Sequence, residues 1–432
     1  MPFFDASTET LARTELQELQ VRKLRAMLTE LGGKNRFYRA KWAAAGVDPG
    51  AIRALSDLPG LPLTTKRDLV EDQLAHPPFG TNLTYPIERY VRLHQTSGTT
   101  GVPLKVPDTA EAWDWWGRCW GHVLCGAGVV PGDRMFMAFS FGPFVGFWAA
   151  VEGAHRVGAM MIPGGGRDSP QRLDLMREVG ATVLACTPSY ALRLGEVAAE
   201  TGFDLRTIPL RASVHAGEPG ANVPATKRRI ETLWQAHAHD HAGATEVGAH
   251  SFECEVQPGG IHLIESEYIA EVLDPATLDP VPEGSRGELV ITNLGRWGFP
   301  VVRYRTGDVV RVNLDPCACG RGFLRFEGGI LGRADDMVTV RGVNVFPAAV
   351  ENLVRGFPEV VEFRVTVGLA REMDEMEVEV ELAQGTDAGL AQRIGARLAS
   401  ALGFRPRVRC VEPNSLPRFE LKAKRFHVRR GD

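Results

Sequence analysis

From about Tyr90 onward the chain alternates short apolar, β-rich runs with segments of helical spacing, and that alternation restricts it to an α/β architecture. Arg172–Val179 reads as a helix, Thr182–Cys186 as the buried strand that follows, and Ala212–Val214 as a strand ending at the turn Gly217-Glu218-Pro219-Gly220. Loops at the ends of such strands are where α/β proteins hold ligands. Before Tyr90 the chain looks helical and connective. Leu16, Leu19, Leu24, Met27 and Leu31 share one face of a helix over Leu11–Leu31, which Gly32-Gly33 is expected to stop.

The C-terminal quarter has a different rhythm. Phe363–Val367 and Met376–Leu382 alternate apolar and polar residues, as strands with one buried face do. Leu390, Ile394, Leu398 and Leu402 recur every four positions within Asp387–Leu402, and Pro347 suits the first turn of a helix over Ala348–Arg355. The expected organisation is a large multi-layer α/β domain over 1–334 and a small α+β domain over 335–432.

Composition narrows the partners. Forty-nine basic and 53 acidic residues leave a net charge of -4, which gives no footprint for nucleic acid or an anionic membrane. The longest uncharged apolar stretch, Met135–Val151, is interrupted by Gly142, Pro143 and Gly146 and is shorter than the roughly 20 residues a bilayer span needs. It reads as buried core or pocket lining. No signal-peptide pattern opens the chain, and the 7 scattered cysteines do not form a disulfide framework. A cytoplasmic globular protein is expected, and the sequence leaves a homodimer open.

Thr96-Ser97-Gly98-Thr99-Thr100-Gly101-Val102-Pro103 packs hydroxyls between glycines, so that backbone N–H groups and side-chain oxygens can converge on phosphate. The Gly-Lys-Ser/Thr ending of a Walker A loop is absent. Alone, this run fits phosphate binding and a polar surface turn equally. Further motifs follow: Gly217-Glu218-Pro219, Ala242-Gly243-Ala244-Thr245-Glu246, Arg303-Tyr304-Arg305-Thr306-Gly307-Asp308, Gly332-Arg333-Ala334-Asp335-Asp336-Met337 and Arg341-Gly342-Val343-Asn344-Val345-Phe346-Pro347. In this order and spacing they resemble the adenylate-forming superfamily of acyl-CoA synthetases, luciferases and peptide-synthetase adenylation domains. The resemblance is to its phenylacetate–coenzyme A ligase branch, and it runs from about Leu16 to the C-terminus.

The resemblance implies a two-step ligase. An aryl carboxylic acid, a substituted benzoate or arylacetate, would be activated by ATP and Mg²⁺ as an acyl-adenylate and passed to coenzyme A. The loop of Thr96, Ser97, Gly98, Thr99, Thr100 and Gly101 would embrace the β- and γ-phosphates, Thr245 the α-phosphate, and Glu246 would hold magnesium as a hard oxygen ligand. Gly217, Glu218 and Pro219 would border the adenine, Asp308 would accept both ribose hydroxyls, and Arg333 would meet ribose or phosphate oxygens. The small domain would be mobile, swinging about Asp335. Lys422 in Lys422-Ala423-Lys424-Arg425 would be the catalytic lysine, with Lys424 as the second candidate. Phe141, His215, Ala216 and Ala244 would line the acid pocket, His215 bonding a ring substituent, whereas Trp148 reads as core. The chain departs from the family pattern at Val102, Ala242 and Leu421. A carrier-protein thiol, an amine or another small molecule as acceptor therefore stays open, as does a nucleotide-binding protein without catalysis.

A metal centre is also expected. Cys317-x-Cys319 supplies two thiolates, and Cys254 with His262 completes a Cys₃His set suited to closed, structural zinc. The competing reading is free thiols beside a core histidine. Cys119, Cys125, Cys186 and Cys410 read as small core residues, and His237, His239, His241 and His250 as pocket lining or surface.

Overall fold

The computed structural model describes residues 3–96, 102–334, 336–341, 343–370, 373–383, 386, 389–419 and 423–429. The alternating region builds one 12-stranded mixed sheet. Its parallel half runs His237–Ala244, Ala212–His215, Val183–Cys186, Arg134–Met137 and Met160–Pro163, joined by helices that include Trp148–Val157, Ser169–Glu178, Pro188–Thr201 and Pro224–Trp234. Val183–Cys186 is buried throughout, as a strand covered on both faces must be. From His237–Ala244 the sheet continues antiparallel through Gly248–Glu253, Gly260–Leu263, Arg325–Glu327, Tyr304–Asn313, Arg286–Asn293 and Tyr268–Leu273. The α/β expectation holds, with an antiparallel half that the alternation did not reveal. None of the described helices is long and apolar enough to cross a membrane.

The first long helix spans Arg13–Lys34, through Gly32 and Gly33 rather than stopping at them. Asn35 sets the end. Its backbone N–H donates to Leu31 O, its Nδ2 reaches Asn82 and Thr84 at 3.1 and 3.0 Å, and its Oδ1 caps the next helix by accepting Tyr38 N–H. A buried, fully bonded cap outweighs the weak helix propensity of two glycines.

The last four-stranded sheet contains Val360–Ala370, Met373–Leu382, Arg407–Val411 and Phe426–Arg429, packed on helices Pro347–Arg355 and Leu390–Leu402. Its core, with Val350, Val365, Val378, Ile394 and Leu398, is a separate apolar cluster from those of the large sheet. Cys410 lies on an exposed face of this unit, not in its core. Polar contacts join it to the rest: Ala225 N donates to Asn352 Oδ1 at 3.1 Å, Thr226 Oγ1 meets Glu351 at 3.2 Å, and Arg229 Nη1 donates to Val360 O at 2.7 Å.

Candidate active site and metal centre

Thr245 and Glu246 occupy the hairpin turn between His237–Ala244 and Gly248–Glu253, where Ala244 pairs with Gly248. Gly248 is required there: its φ is +122° and a Cβ would fall 2.1 Å from the Tyr268 hydroxyl. Glu246 is buried, and its Oε1 accepts the Tyr304 hydroxyl at 2.8 Å and stands 3.6 Å from Lys66 Nζ. Behind the turn, Arg296 Nη1 donates to Thr245 O at 2.7 Å, while its Nε and Nη2 hold Asp108 at 2.6 and 2.7 Å. Asp108 belongs to Lys105–Thr109, the strand just after the glycine–hydroxyl run, so one buried ion pair couples that strand to the Thr245 turn. Lys66, Tyr304, Asp108 and Arg296 were not singled out from sequence. Tyr304 lay inside a recognised motif, but the Asp108–Arg296 pair spans 188 positions and leaves no local signal.

Asp308 sits farther along the strand that carries Tyr304 and pairs across the sheet with Arg333. Their charged groups are 3.5 Å apart at a partly open edge. The Tyr304 hydroxyl is pushed well above the usual tyrosine range by burial and by Glu246, and it also feels Asp308 and Arg333. Tyr304 therefore joins the magnesium and ribose candidates in one electrostatic neighbourhood. Thr96 closes the base of the glycine–hydroxyl loop: its Oγ1 accepts Leu104 N–H, and its own N–H donates to Leu104 O, each at 3.0 Å. Ser97, Gly98, Thr99, Thr100 and Gly101 lie outside the described residues, as do Asp335 and Lys422.

Glu218 is committed to protein contacts. After the left-handed Gly217, with φ of 95°, its carboxylate accepts Ser189 N–H at 2.8 Å and Ala423 N–H at 2.5 Å. Ala423 follows Lys422 in the chain. Arg425 reinforces the contact by donating to Ser189 Oγ at 3.1 Å and pairing with Glu362 at 2.7 Å. Lys424 is exposed.

A cavity of about 290 Å³ opens beside the Phe139–Phe144 loop, lined by that loop and by Arg172, Thr187 and Tyr190. Phe141 lines it, but His215, Ala216 and Ala244 do not. Ala216 and Ala244 pack with Phe141 and Phe144 against the main core. His215 is fully buried with Nδ1 on Cys186 O at 3.2 Å and Nε2 on Ser213 Oγ at 2.8 Å, so neither nitrogen faces a ring substituent. Burial pushes its pKa down to about 4. Trp148 is 36% exposed rather than core, its indole N–H donating to Gly142 O at 3.1 Å and its ring edge-on to Phe141. His239, His241 and His250 are core residues, neither lining nor surface, and burial holds them neutral. Only His237 of that run is exposed.

Cys254, His262, Cys317 and Cys319 do converge, all four buried and with ligand atoms within 4.8 Å of one another. Cys254 Sγ is 3.7 Å from Cys317 Sγ, and Cys319 Sγ is 3.5 Å from His262 Nε2. A tetrahedral zinc with bonds of about 2.3 Å to sulfur and about 2.0–2.1 Å to nitrogen has edges of about 3.7 and 3.5 Å. His262 Nδ1 faces Phe323 O at 3.0 Å, the second bond that fixes the tautomer and turns Nε2 inward. Next to the quartet, buried Arg321 pairs with buried Glu9, which also receives His122 and the Phe4 and Asp5 N–H groups.

Residues 88–295 match the AMP-binding enzyme family, and residues 342–430 match the AMP-binding enzyme C-terminal domain. A phenylacetate–coenzyme A ligase of Thermus thermophilus is 32% identical, over 96% of this chain and 97% of its own. A 2-hydroxyisobutyryl-CoA ligase in its postadenylation state superposes with a TM-score of 0.92 at 31% identity, over 97% of this chain and 90% of that one. The same ligase in its thioesterification state, at 32% identity over 98% and 91%, gives only 0.75. This chain thus superposes more fully on that ligase in its postadenylation state than in its thioesterification state. With near-full-length likeness to those ligases and both AMP-binding regions present, the chain belongs to the adenylate-forming enzymes, in their phenylacetate–coenzyme A ligase branch, and is an acid–CoA ligase.

Proposed function

We propose that this ligase joins an aryl carboxylic acid to the α-phosphate of ATP, expelling pyrophosphate, and then passes the acyl group to the thiol of coenzyme A with release of AMP. The observation that carries this reading is the cluster of Thr245, Glu246, Tyr304 and the Asp308–Arg333 pair at one end of the strands. Glu246 is a buried hard-oxygen donor whose carboxylate has one hydrogen bond and one longer ion pair, which fits a magnesium ligand. Bound magnesium would neutralise phosphate charge. Tyr304 orients that carboxylate, Arg296 fixes the Thr245 turn against the α-phosphate, and Asp308 accepts the ribose hydroxyls with Arg333 alongside.

In this reading Ser97–Gly101 embraces the outer phosphates, and Lys422 brings its ammonium to the α-phosphate while the small domain is docked. Rotation about Asp335 then withdraws it for the thiol step. The domain division falls at 334/335. Glu218 anchors the tail rather than the adenine, because both its oxygens are engaged by N–H groups. Cys254, His262, Cys317 and Cys319 hold a structural zinc, and the cytoplasm, which supplies ATP and coenzyme A, is the place of action.

The aromatic loop Phe139–Phe144 favours an aryl acid over the short hydroxy acid of the structural neighbour. Acid-dependent pyrophosphate exchange over benzoates, arylacetates and 2-hydroxyisobutyrate tests the reading, with product mass measured with and without coenzyme A. Exchange with 2-hydroxyisobutyrate alone would overturn the aryl assignment. An adduct to something other than coenzyme A would overturn the acceptor.

A further inference from the structure

Arg172, on the helix Ser169–Glu178, lines the aromatic cavity and is only 6% exposed. Its Nε donates to Gly164 O at 2.9 Å and its Nη1 to the Tyr190 hydroxyl at 2.6 Å. The guanidinium also lies over the Tyr190 ring, 5.1 Å from its centre. Its Nη2 has no partner, and no carboxylate pairs with it, among the described residues. Other buried arginines are treated differently: Arg296 holds Asp108, Arg303 holds Glu271, Arg321 holds Glu9 and Arg355 holds Glu362. Arg325 also lacks a carboxylate, but its Nη2 is given to the Gln257 carbonyl.

A guanidinium taken out of water without a counter-charge is costly, and its planar N–H edge suits a carboxylate best. Arg172 is one of the residues lining a cavity whose walls also include Phe139, Phe141 and Phe144, which accept the faces and edges of a ring. At about 290 Å³ the cavity is at the small end of ligand pockets. Tyr190 is itself held by Ser169 Oγ at 2.9 Å, so Arg172 is fixed on a rigid partner before any ligand arrives.

We propose that the acid activated by this enzyme carries a second carboxylate, and that Arg172 is the specificity-determining residue that receives it. The proposal rests on the reading of the Phe139–Phe144 loop as the wall of the acid pocket. One carboxylate is activated, the ring lies against the phenylalanines, and the distal carboxylate neutralises the Nη2 edge of Arg172.

Matched acids test this in acid-dependent pyrophosphate exchange: benzoate against isophthalate, and phenylacetate against 3-carboxyphenylacetate. A hydrogen bond to a charged group predicts kcat/KM about ten- to a hundredfold higher for the dicarboxylate of at least one pair. In Arg172→Gln that ratio falls to within a few-fold of one, and Arg172→Lys restores part of it. Wild-type exchange with the simple acids and no gain from the second carboxylate would overturn the proposal while leaving the aryl-ligase reading standing. An unchanged ratio in Arg172→Gln would overturn it as well. Exchange with none of the aromatic acids would overturn both readings. Should Arg172→Gln fail to fold, the wild-type ratio decides alone.

Discussion

Replacing Glu218 with glutamine tests how the tail around Ala423 is held. The carboxylate accepts Ser189 N–H at 2.8 Å from the large unit and Ala423 N–H at 2.5 Å from the tail. Glutamine keeps the shape but presents one acceptor oxygen and one NH₂ group, so one of the two N–H donors meets another donor. A hydrogen bond to a charged acceptor contributes about 1.5–3 kcal/mol. The ratio of docked to undocked tail should therefore fall about ten- to a hundredfold. In the proposed alternation adenylation needs the docked arrangement and thioester formation does not, so the loss should divide the half-reactions. Acid-dependent exchange of pyrophosphate into ATP should fall about tenfold or more in Glu218→Gln. Conversion of supplied acyl-adenylate and coenzyme A to thioester should not fall with it. ATP affinity, measured by calorimetry, should stay at the wild-type value, because Glu218 is occupied by protein N–H groups. An equal fall in both half-reactions would refute the latch. Weakened ATP binding with intact thioester formation would return Glu218 to the adenine.

Four further outcomes follow from the same geometry. Purified without chelator, the protein should contain about one zinc per chain, and Cys319→Ser should lower both zinc content and thermal midpoint; metal analysis and a melting curve check this. Glu246→Gln should raise the magnesium concentration needed for half-maximal exchange, whereas an unchanged magnesium curve would remove Glu246 from the metal site. Asp108→Asn leaves the fully buried Arg296 unpaired and should cost about 3–5 kcal/mol in urea unfolding, with much of it recovered when Arg296→Met is added. Acid should destabilise the fold: His215 and His241 are pushed down to about 4, and His239 and His250 to about 3, by burial. Between an ordinary histidine pKa of 6.5 and those values the unfolded chain binds more protons, so stability drops as pH falls, by roughly 1.4 kcal/mol per pH unit per histidine. Asp240, pushed up to about 7 by burial and Glu253, acts in the opposite direction, gaining stability as pH falls from 7. The four histidines outweigh it, and equal unfolding free energies at pH 7 and pH 5 would refute the argument.

What the sequence revealed and what it hid divide along physical lines. Periodicity located the helix now seen at Leu390–Leu402 and the strand at Met373–Leu382, because one buried face imposes a repeat that a single segment carries. The convergence of Cys254, His262, Cys317 and Cys319 was legible because few residue types bind zinc and their chemistry announces itself at any separation. Burial was harder. The run from His237 to His250 looked polar, but its strands cross the middle of the sheet, and pairing with neighbours such as Ser251 absorbs the imidazoles. Trp148 looked like core, but it flanks the cavity loop with its N–H on Gly142. The Asp108–Arg296 clamp and the free edge of Arg172 had no sequence signature, since each depends on which distant backbone or cavity the fold delivers.

The contrast between cores and interface suits the swing proposed for the small unit. The apolar residues of the last four-stranded sheet close on one another and form their own cluster. Hydrogen bonds and ion pairs bridge it to the large unit: Asn352, Glu351, the Val360 carbonyl, Ala423, Arg425 and Arg418 meet Ala225, Thr226, Arg229, Glu218, Ser189 and Glu196. Separating buried apolar surfaces would cost about 25 cal/mol for every Å² exposed. Polar partners instead exchange their bonds for water at a net cost of only about 1 kcal/mol each. A docked state built this way is held firmly enough to place the tail and loosely enough for a change of ligand to release it. A ligand whose affinity for the two arrangements differs by a few kcal/mol then suffices to shift the population.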